Sequence, residues 1–248
     1  MIDLNGRVAL VTGGGKGIGR GISSALAAAG AAVAVNYAAD RSAAERTVAD
    51  IVAHGGKAVA LAGDVGEPDD VERLFDRAAA AFGPVDTLVN NAATYTFGPL
   101  EDVTPEEFDR QYRTNVLGTF LTCRAFVRRV PATGGSIVNV STSGLAGNRP
   151  GAALHLSTKA AVTTLTRVLA NELGPRNVRV NAVAPGATET EGSRGLVADE
   201  GLVAGVVAAT PLGRLGQPSD IGPVVAFLAS PDAAWITGDV VFASGGLR

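Results

Sequence analysis

Residues 154–159 read LHLSTK, which places His155 four positions ahead of Lys159. On a helix that spacing stacks the imidazole and the ammonium on one face. Histidine commonly serves as a general acid or base, and a cation one turn away pushes it toward its neutral form. Only two histidines occur in the 248 residues, so this placement draws the eye. Just upstream, Ser141, Thr142 and Ser143 provide consecutive hydroxyls, each able to donate a hydrogen bond to a substrate oxygen.

A second stretch with chemical content is TGGGKGIG at 12–19. Gly13, Gly15, Gly17 and Gly19 let the backbone turn tightly and approach a pyrophosphate, and Ile18 opens the helix that follows. The unpaired N–H groups and positive dipole end of that helix favour an anion. Downstream, the chain reads Asn36-Tyr37 at the end of its second apolar run, with no acid to accept a ribose 2′-hydroxyl. Lys16 lies in the glycine loop and Arg41 follows the run. Cations without a carboxylate suit a 2′-phosphate, so this reading favours NADP(H) over NAD(H), with Asp40 as the contrary residue.

These residues need a scaffold. Short apolar runs rich in β-branched residues recur at 7–12, 31–37, 57–63, 84–90, 135–141, 177–184 and 238–244. Stretches with helical spacing lie between them at 18–29, 41–54, 68–82, 104–130, 151–174 and 217–230. The runs are almost continuously apolar, as parallel strands covered on both faces should be. The expected fold is α/β, a Rossmann-like doubly wound parallel sheet of about seven strands with helices on both faces, in a single domain over 1–248. Glu67-Pro68 and Thr104-Pro105 mark helix starts, and Gly174-Pro175 marks a stop. The glycine-punctuated stretch 186–216 follows a strand's carboxyl end and is expected to be a mobile substrate lid.

Composition narrows the partners. Net charge is −3 with scattered basic residues, which does not supply the cationic stripe that nucleic acid requires. A single cysteine and two histidines give no zinc spacing, so no metal is expected. Cys123 reads as a buried apolar residue. The N-terminal apolar run is too short for a signal sequence or membrane span, and the expected location is the cytoplasm.

Read in order, TGxxxGIG at 12–19, Asp64-Val65, NNAA at 90–93, Asn115 in NVLGTF, NVST at 139–142, Lys159 and PGATET at 185–190 resemble the short-chain dehydrogenase/reductase family along essentially the whole chain. NNAA stands in place of the more usual NNAG. The resemblance implies strand order 3-2-1-4-5-6-7. It also implies that Asp64 and Val65 meet the adenine, that Asn90 to Ala92 line the cofactor, and that Pro185, Gly186, Thr188 and Thr190 hold the nicotinamide end. Helices 104–130 and 151–174 resemble those of the family's four-helix contact, implying a homotetramer or homodimer.

At the chemical end the chain departs from the family. Its Tyr-x-x-x-Lys motif has His155 in the tyrosine position, while Lys159 is retained and implied to contact the nicotinamide ribose. Thr142 stands where the catalytic serine is expected, thirteen residues earlier. Asn115 is implied to distort its helix locally and support a proton relay. Three functions fit these residues. His155 serves as general acid/base in carbonyl chemistry on a small organic substrate; or a preformed iminium takes hydride without a proton; or redox chemistry is lost and the fold serves as a lyase, cyclase or binding scaffold or carries an inactivating substitution. Tyr95, just beyond the fourth strand, is placed to overhang the same pocket, as a wall or as an alternative phenol.

Overall fold

The computed structural model describes residues 2–147, 150–193 and 200–247. Seven parallel strands form one sheet in the order β3-β2-β1-β4-β5-β6-β7. They are β1 (Val8–Val11), β2 (Ala32–Tyr37), β3 (Lys57–Ala62), β4 (Thr87–Asn90), β5 (Gly135–Val140), β6 (Val178–Pro185) and β7 (Val240–Ala243). Alternate side chains leave each strand toward opposite faces. Ala9, Val11, Val33, Val35 and Val138 therefore join one core cluster, and Val8, Leu10, Ala34 and Ile137 join another. Both faces are thus apolar, which is why the central strands read as unbroken hydrophobic runs.

Helices cover each face. On one side lie α1 (Gly17–Ala28) and α2 (Arg41–Ala53), contributing Ile22, Leu26 and Ile51 to the first cluster. On the other, α3 (Pro68–Phe82) and α5 (Gly118–Arg129) contribute Leu74, Phe75, Leu121 and Phe126 to the second. Between α3 and α5 comes α4 (Pro105–Tyr112), begun by Thr104, whose hydroxyl caps the Glu107 N–H. The short α6 (Gly144–Gly147) leads toward α7 (Ala153–Leu173), which ends in the second cluster through Leu173. After β6 come α8 (Glu200–Ala209) and α9 (Pro218–Ala229), and Ile221, Val225 and Leu228 of α9 complete the first cluster.

Helical spacing runs unbroken over 104–130, and the resemblance implies a local distortion of that helix at Asn115. The structure divides it: α4 passes into a π-helical turn, Arg113–Leu117, before α5 begins. Such turns insert an extra residue and redirect side chains. The 186–216 stretch contains a 3₁₀ turn, Glu191–Ser193, and all of α8; residues 194–199 of the expected lid lie outside the described residues. Among the described residues, no helix is long and apolar enough to cross a membrane, and no group of residues is arranged to hold a metal ion.

Candidate active site

At the carboxyl end of β1 the chain enters the glycine loop. Gly13 has φ +58° and Gly17 φ +51°, in the region that glycine adopts without penalty. Space reinforces the choice elsewhere: a Cβ on Gly15 would sit 2.7 Å from Ala44 Cα, and one on Gly19 would strike the Gly13 carbonyl. Lys16 precedes α1 without providing a side-chain cap, so the first N–H groups of the helix are not met by the residue that usually satisfies them.

The loop is held from behind by buried polar groups. Asn36 is 1 % exposed; its Oδ1 accepts the Gly13 N–H at 3.1 Å, and its Nδ2 donates to the Leu61 and Gly63 carbonyls at 3.3 and 2.8 Å. It joins the ends of β2 and β3 to the loop. Thr47 Oγ1 donates to the Gly15 carbonyl and Ser23 Oγ to that of Gly14. Just past β4, Asn91 Nδ2 donates to the carbonyls of Thr12 and Gly13, while Thr12 Oγ1 accepts the N–H groups of Asn91 and Ala92. Thr12, Ser23, Thr47 and Asn91 are thus part of the cradle; Thr12 opens the glycine motif and Asn91 belongs to the double asparagine, while Ser23 and Thr47 carried no sequence signal.

A cleft of about 240 Å³ opens beside the loop, lined by Gly15, Lys16, Arg20, Asp40, Arg46 and Glu191 among others. Asp40 caps α2 by accepting the Ala43 N–H at 3.0 Å. Arg41 is not among the residues lining the cleft; its Nε donates to Glu45 at 2.7 Å on the surface. Arg46 lines it, one turn further along α2. Tyr37 is partly buried against the first core cluster, as is Ile18. Asp64 follows β3 and accepts the Gly66 N–H at 2.8 Å, while the buried Val65 lies where a Cβ on Gly118 would touch it.

Past β6, the segment 185–190 closes on the same loop. A Cβ on Gly186 would lie 2.9 Å from the Ser244 backbone, and Thr188 Oγ1 donates to the Gly186 carbonyl at 3.0 Å. Thr190 packs at Gly17, where an added Cβ would be 3.3 Å from its side chain. The next residue, Glu191, accepts the Gly17 N–H at 2.9 Å and pairs with Arg20 at 3.3 Å. The glycine loop and the segment 185–191 therefore meet although Gly17 and Glu191 are 174 positions apart in sequence. The N–H-rich loop, its lack of side-chain bulk and the neighbouring cations fit a dinucleotide's pyrophosphate.

The second group gathers at the end of β5. Lys159 is buried, and its Nζ donates to the Val140 carbonyl, the last of the strand, at 2.7 Å. Burial lowers its pKa from 10.5 to about 8. Two residues beyond Val140, Thr142 Oγ1 accepts the Gly144 N–H at 3.1 Å. That bond uses a lone pair and leaves the hydroxyl proton available. His155, on the first turn of α7, is 9 % exposed, and its Nδ1 has no partner among the described residues. Burial first, and the charge of Lys159 second, lower its pKa from 6.5 to about 4.

Asn115 lies within the π turn, and its side chain is fully engaged. Its Oδ1 accepts the Thr94 N–H and its Nδ2 donates to the Thr94 carbonyl, both at 2.8 Å, with a further bond to Thr158 Oγ1 at 3.1 Å. It fixes the loop after β4 to α7 beside Lys159. That loop carries Tyr95 and Phe97, whose rings face His155. Tyr95 Oη donates to the Gly192 carbonyl at 3.3 Å. Asn90 points elsewhere: its Nδ2 donates to Asn139 Oδ1 at 2.9 Å and to Cys123 Sγ, and its Oδ1 accepts from Thr122. The buried Cys123 thiol is pushed up to about 12 by burial and is inert at neutral pH.

A parallel sheet whose strand ends gather a glycine-built cradle and an imidazole–ammonium pair is the framework of a dinucleotide-fold oxidoreductase. The family described as enoyl-(acyl carrier protein) reductase matches residues 13–248. The chain belongs to the short-chain dehydrogenase/reductase family. It is 47% identical to an uncharacterized oxidoreductase of Methylorubrum extorquens over 100% of both chains. A versicolorin reductase of Emericella nidulans is 41% identical, over 98% of this chain and 96% of that one. Among solved structures, a blue fluorescent protein from a metagenomic library, in complex with NADPH, superposes with a TM-score of 0.91 at 35% identity, over 99% of each chain.

Proposed function

We propose that this protein transfers hydride between NADP(H) and the carbonyl or carbinol carbon of a small organic molecule, with His155 exchanging the proton. The observation that carries this reading is the pairing of a buried imidazole, its Nδ1 unpartnered among the described residues, with Lys159 one turn away. In the resemblance to the family, His155 takes the tyrosine's place and Thr142 the serine's.

The cofactor, when bound, supplies or receives hydride at its nicotinamide ring. Gly13 to Gly19 would hold its pyrophosphate, Asp64 and Val65 its adenine, and Pro185, Gly186, Thr188 and Thr190 its nicotinamide end. NADP(H) is favoured because Lys16 and Arg46 line the cleft beside β2, whose last residues Asn36 and Tyr37 carry no acid. Asp40 shares that cleft, but its carboxylate accepts a helix N–H. The related structure binds NADPH, which supports the same choice.

With a pKa of about 4, His155 is neutral at pH 7, and only about one ring in a thousand is protonated. In the oxidising direction a neutral ring nitrogen accepts the carbinol proton as the C–H bond is lost, and Thr142 Oγ donates to the same oxygen. In the reducing direction the imidazolium gives its proton to that oxygen, a step that weakens as pH rises above 4. Lys159 adds positive charge where an alkoxide develops. Asn115 holds the post-β4 loop and α7 in register.

The decisive experiment mixes the protein with NADP⁺ and a panel of secondary carbinols, then with NADPH and the matching ketones and cyclic imines, following dihydropyridine absorbance. Turnover abolished by His155→Ala supports the reading. Turnover of imines alone, indifferent to His155→Ala, assigns the iminium route. No turnover by the wild type, with ketone reduction gained in His155→Tyr, overturns the role given to His155.

A further inference from the structure

We propose that Tyr95, Phe97 and the ring of His155 form a preorganised aromatic corner selecting a flat, neutral aryl ketone or aryl carbinol. This substrate class rests on the hydride-transfer reading above. The three rings contact one another pairwise, with centroids 5.3, 5.5 and 5.7 Å apart and planes inclined by 39°, 60° and 82°. These are tilted and edge-on arrangements. A planar aromatic guest meets one ring face to face while presenting its edge to another, whereas a puckered saturated ring gains only area.

The loop that carries Tyr95 and Phe97 is fixed. Tyr95 and Phe97 are 39 % and 38 % exposed, although they follow directly from the buried β4. Asn115 clamps the loop through both backbone groups of Thr94. On the next residues, Thr96 Oγ1 donates to Glu107 at 2.6 Å, and Arg110 binds Glu107, Thr94 and Thr96 together. At its far end the Gly98 N–H donates to the Gly151 carbonyl at 2.8 Å, just ahead of α7. Both ends of the loop are therefore tied to elements that frame His155, so the rings are held in place rather than recruited by a ligand.

Charge separates this guest from the other one that aromatic corners attract. A quaternary ammonium or iminium gains from ring faces, but Lys159 lies one turn from His155 and its Nζ is bonded to the Val140 carbonyl, with no carboxylate paired to it among the described residues. A neutral guest is favoured, and the same rings place its carbonyl next to the imidazole.

The test measures binding of 1-tetralone and its saturated counterpart 1-decalone to the full chain, with and without NADPH, by ligand-observed NMR titration. The expected result is a preference for 1-tetralone of roughly tenfold, lost in Tyr95→Leu/Phe97→Leu and kept in Tyr95→Phe, which retains the ring. Glu107→Gln, which leaves both rings in the chain but weakens their mounting, reduces the preference. Equal binding of the two ketones, a preference that survives the double leucine variant, or stronger binding of tetramethylammonium than of 1-tetralone overturns the proposal. Selective binding without turnover leaves the corner standing and removes the hydride-transfer reading. Turnover of both ketones with equal KM does the reverse.

Discussion

His155 and Lys159 stand one turn apart on α7 and are both buried, and each is held below its ordinary proton affinity, to about 4 and about 8. Burial is the first cause for both, and the lysine's charge adds to it for the histidine. Unfolding returns the imidazole to about 6.5. Between pH 6.5 and 4 the unfolded chain then binds more protons at this residue than the folded chain, so stability declines as pH falls through that window and loses nothing more from this group below it. The slope approaches about 1.4 kcal/mol per pH unit in mid-window. Urea unfolding at several pH values should show His155→Leu with a shallower decline than the wild type; parallel curves would contradict the buried neutral imidazole.

Glu191 places a carboxylate on the Gly17 N–H at the start of α1, the end of a helix that favours negative charge. A cofactor pyrophosphate seeks the same N–H groups and is repelled by the same carboxylate. Glu191→Gln should therefore tighten NADPH binding by about fivefold, read from the fluorescence of the bound dihydronicotinamide. An unchanged or weaker Kd would show that Glu191 does not compete.

For the 2′-phosphate, Lys16 and Arg46 are the cations that line the cleft together with Arg20, and Arg20 is paired with Glu191. Lys16→Ala and Arg46→Ala are each expected to raise the Kd for NADPH about tenfold while leaving NADH within about twofold. Equal losses for both nucleotides would point to a general electrostatic effect.

Much of this arrangement was legible in the sequence, for a physical reason. Parallel strands covered on both faces must be apolar at nearly every position, and each of the seven runs marks a strand. Helix starts at Pro68 and Pro105 were equally plain. The π turn left no mark in the apolar spacing, which continues through 104–130; only the resemblance pointed to it, by implying a local distortion at Asn115, and the bonds from Asn115 to Thr94 and Thr158, contacts distant in sequence, accompany it. Helix α8 was obscured by the glycines around it. The cradle roles of Ser23 and Thr47 depend on which elements become neighbours of the loop, so no local pattern announces them. Phe97 and the Glu107–Arg110 mounting were silent for the same reason: Glu107 reads as a first-turn acid of α4 until the fold brings Thr96 to it.

Exposed apolar side chains on α4, the π turn, α5 and α7, namely Phe108, Leu117, Phe120 and Val168, support the expectation that copies of this chain associate through these helices. Sedimentation of the wild type at micromolar concentration should show a dimer or tetramer, and Phe120→Asp should shift it to a smaller species. A wild type that sediments as a monomer would remove that expectation.

The proton role of His155 is tested most directly by the pH dependence of kcat/KM for carbinol oxidation with NADP⁺, in the wild type and in His155→Ala. The expected wild-type profile is flat near neutrality and falls below about pH 5 as the imidazole titrates, with the variant reduced by roughly 10²- to 10⁴-fold and lacking that inflection. A variant within twofold of the wild type, with the same acid limb, would show that another group carries the proton.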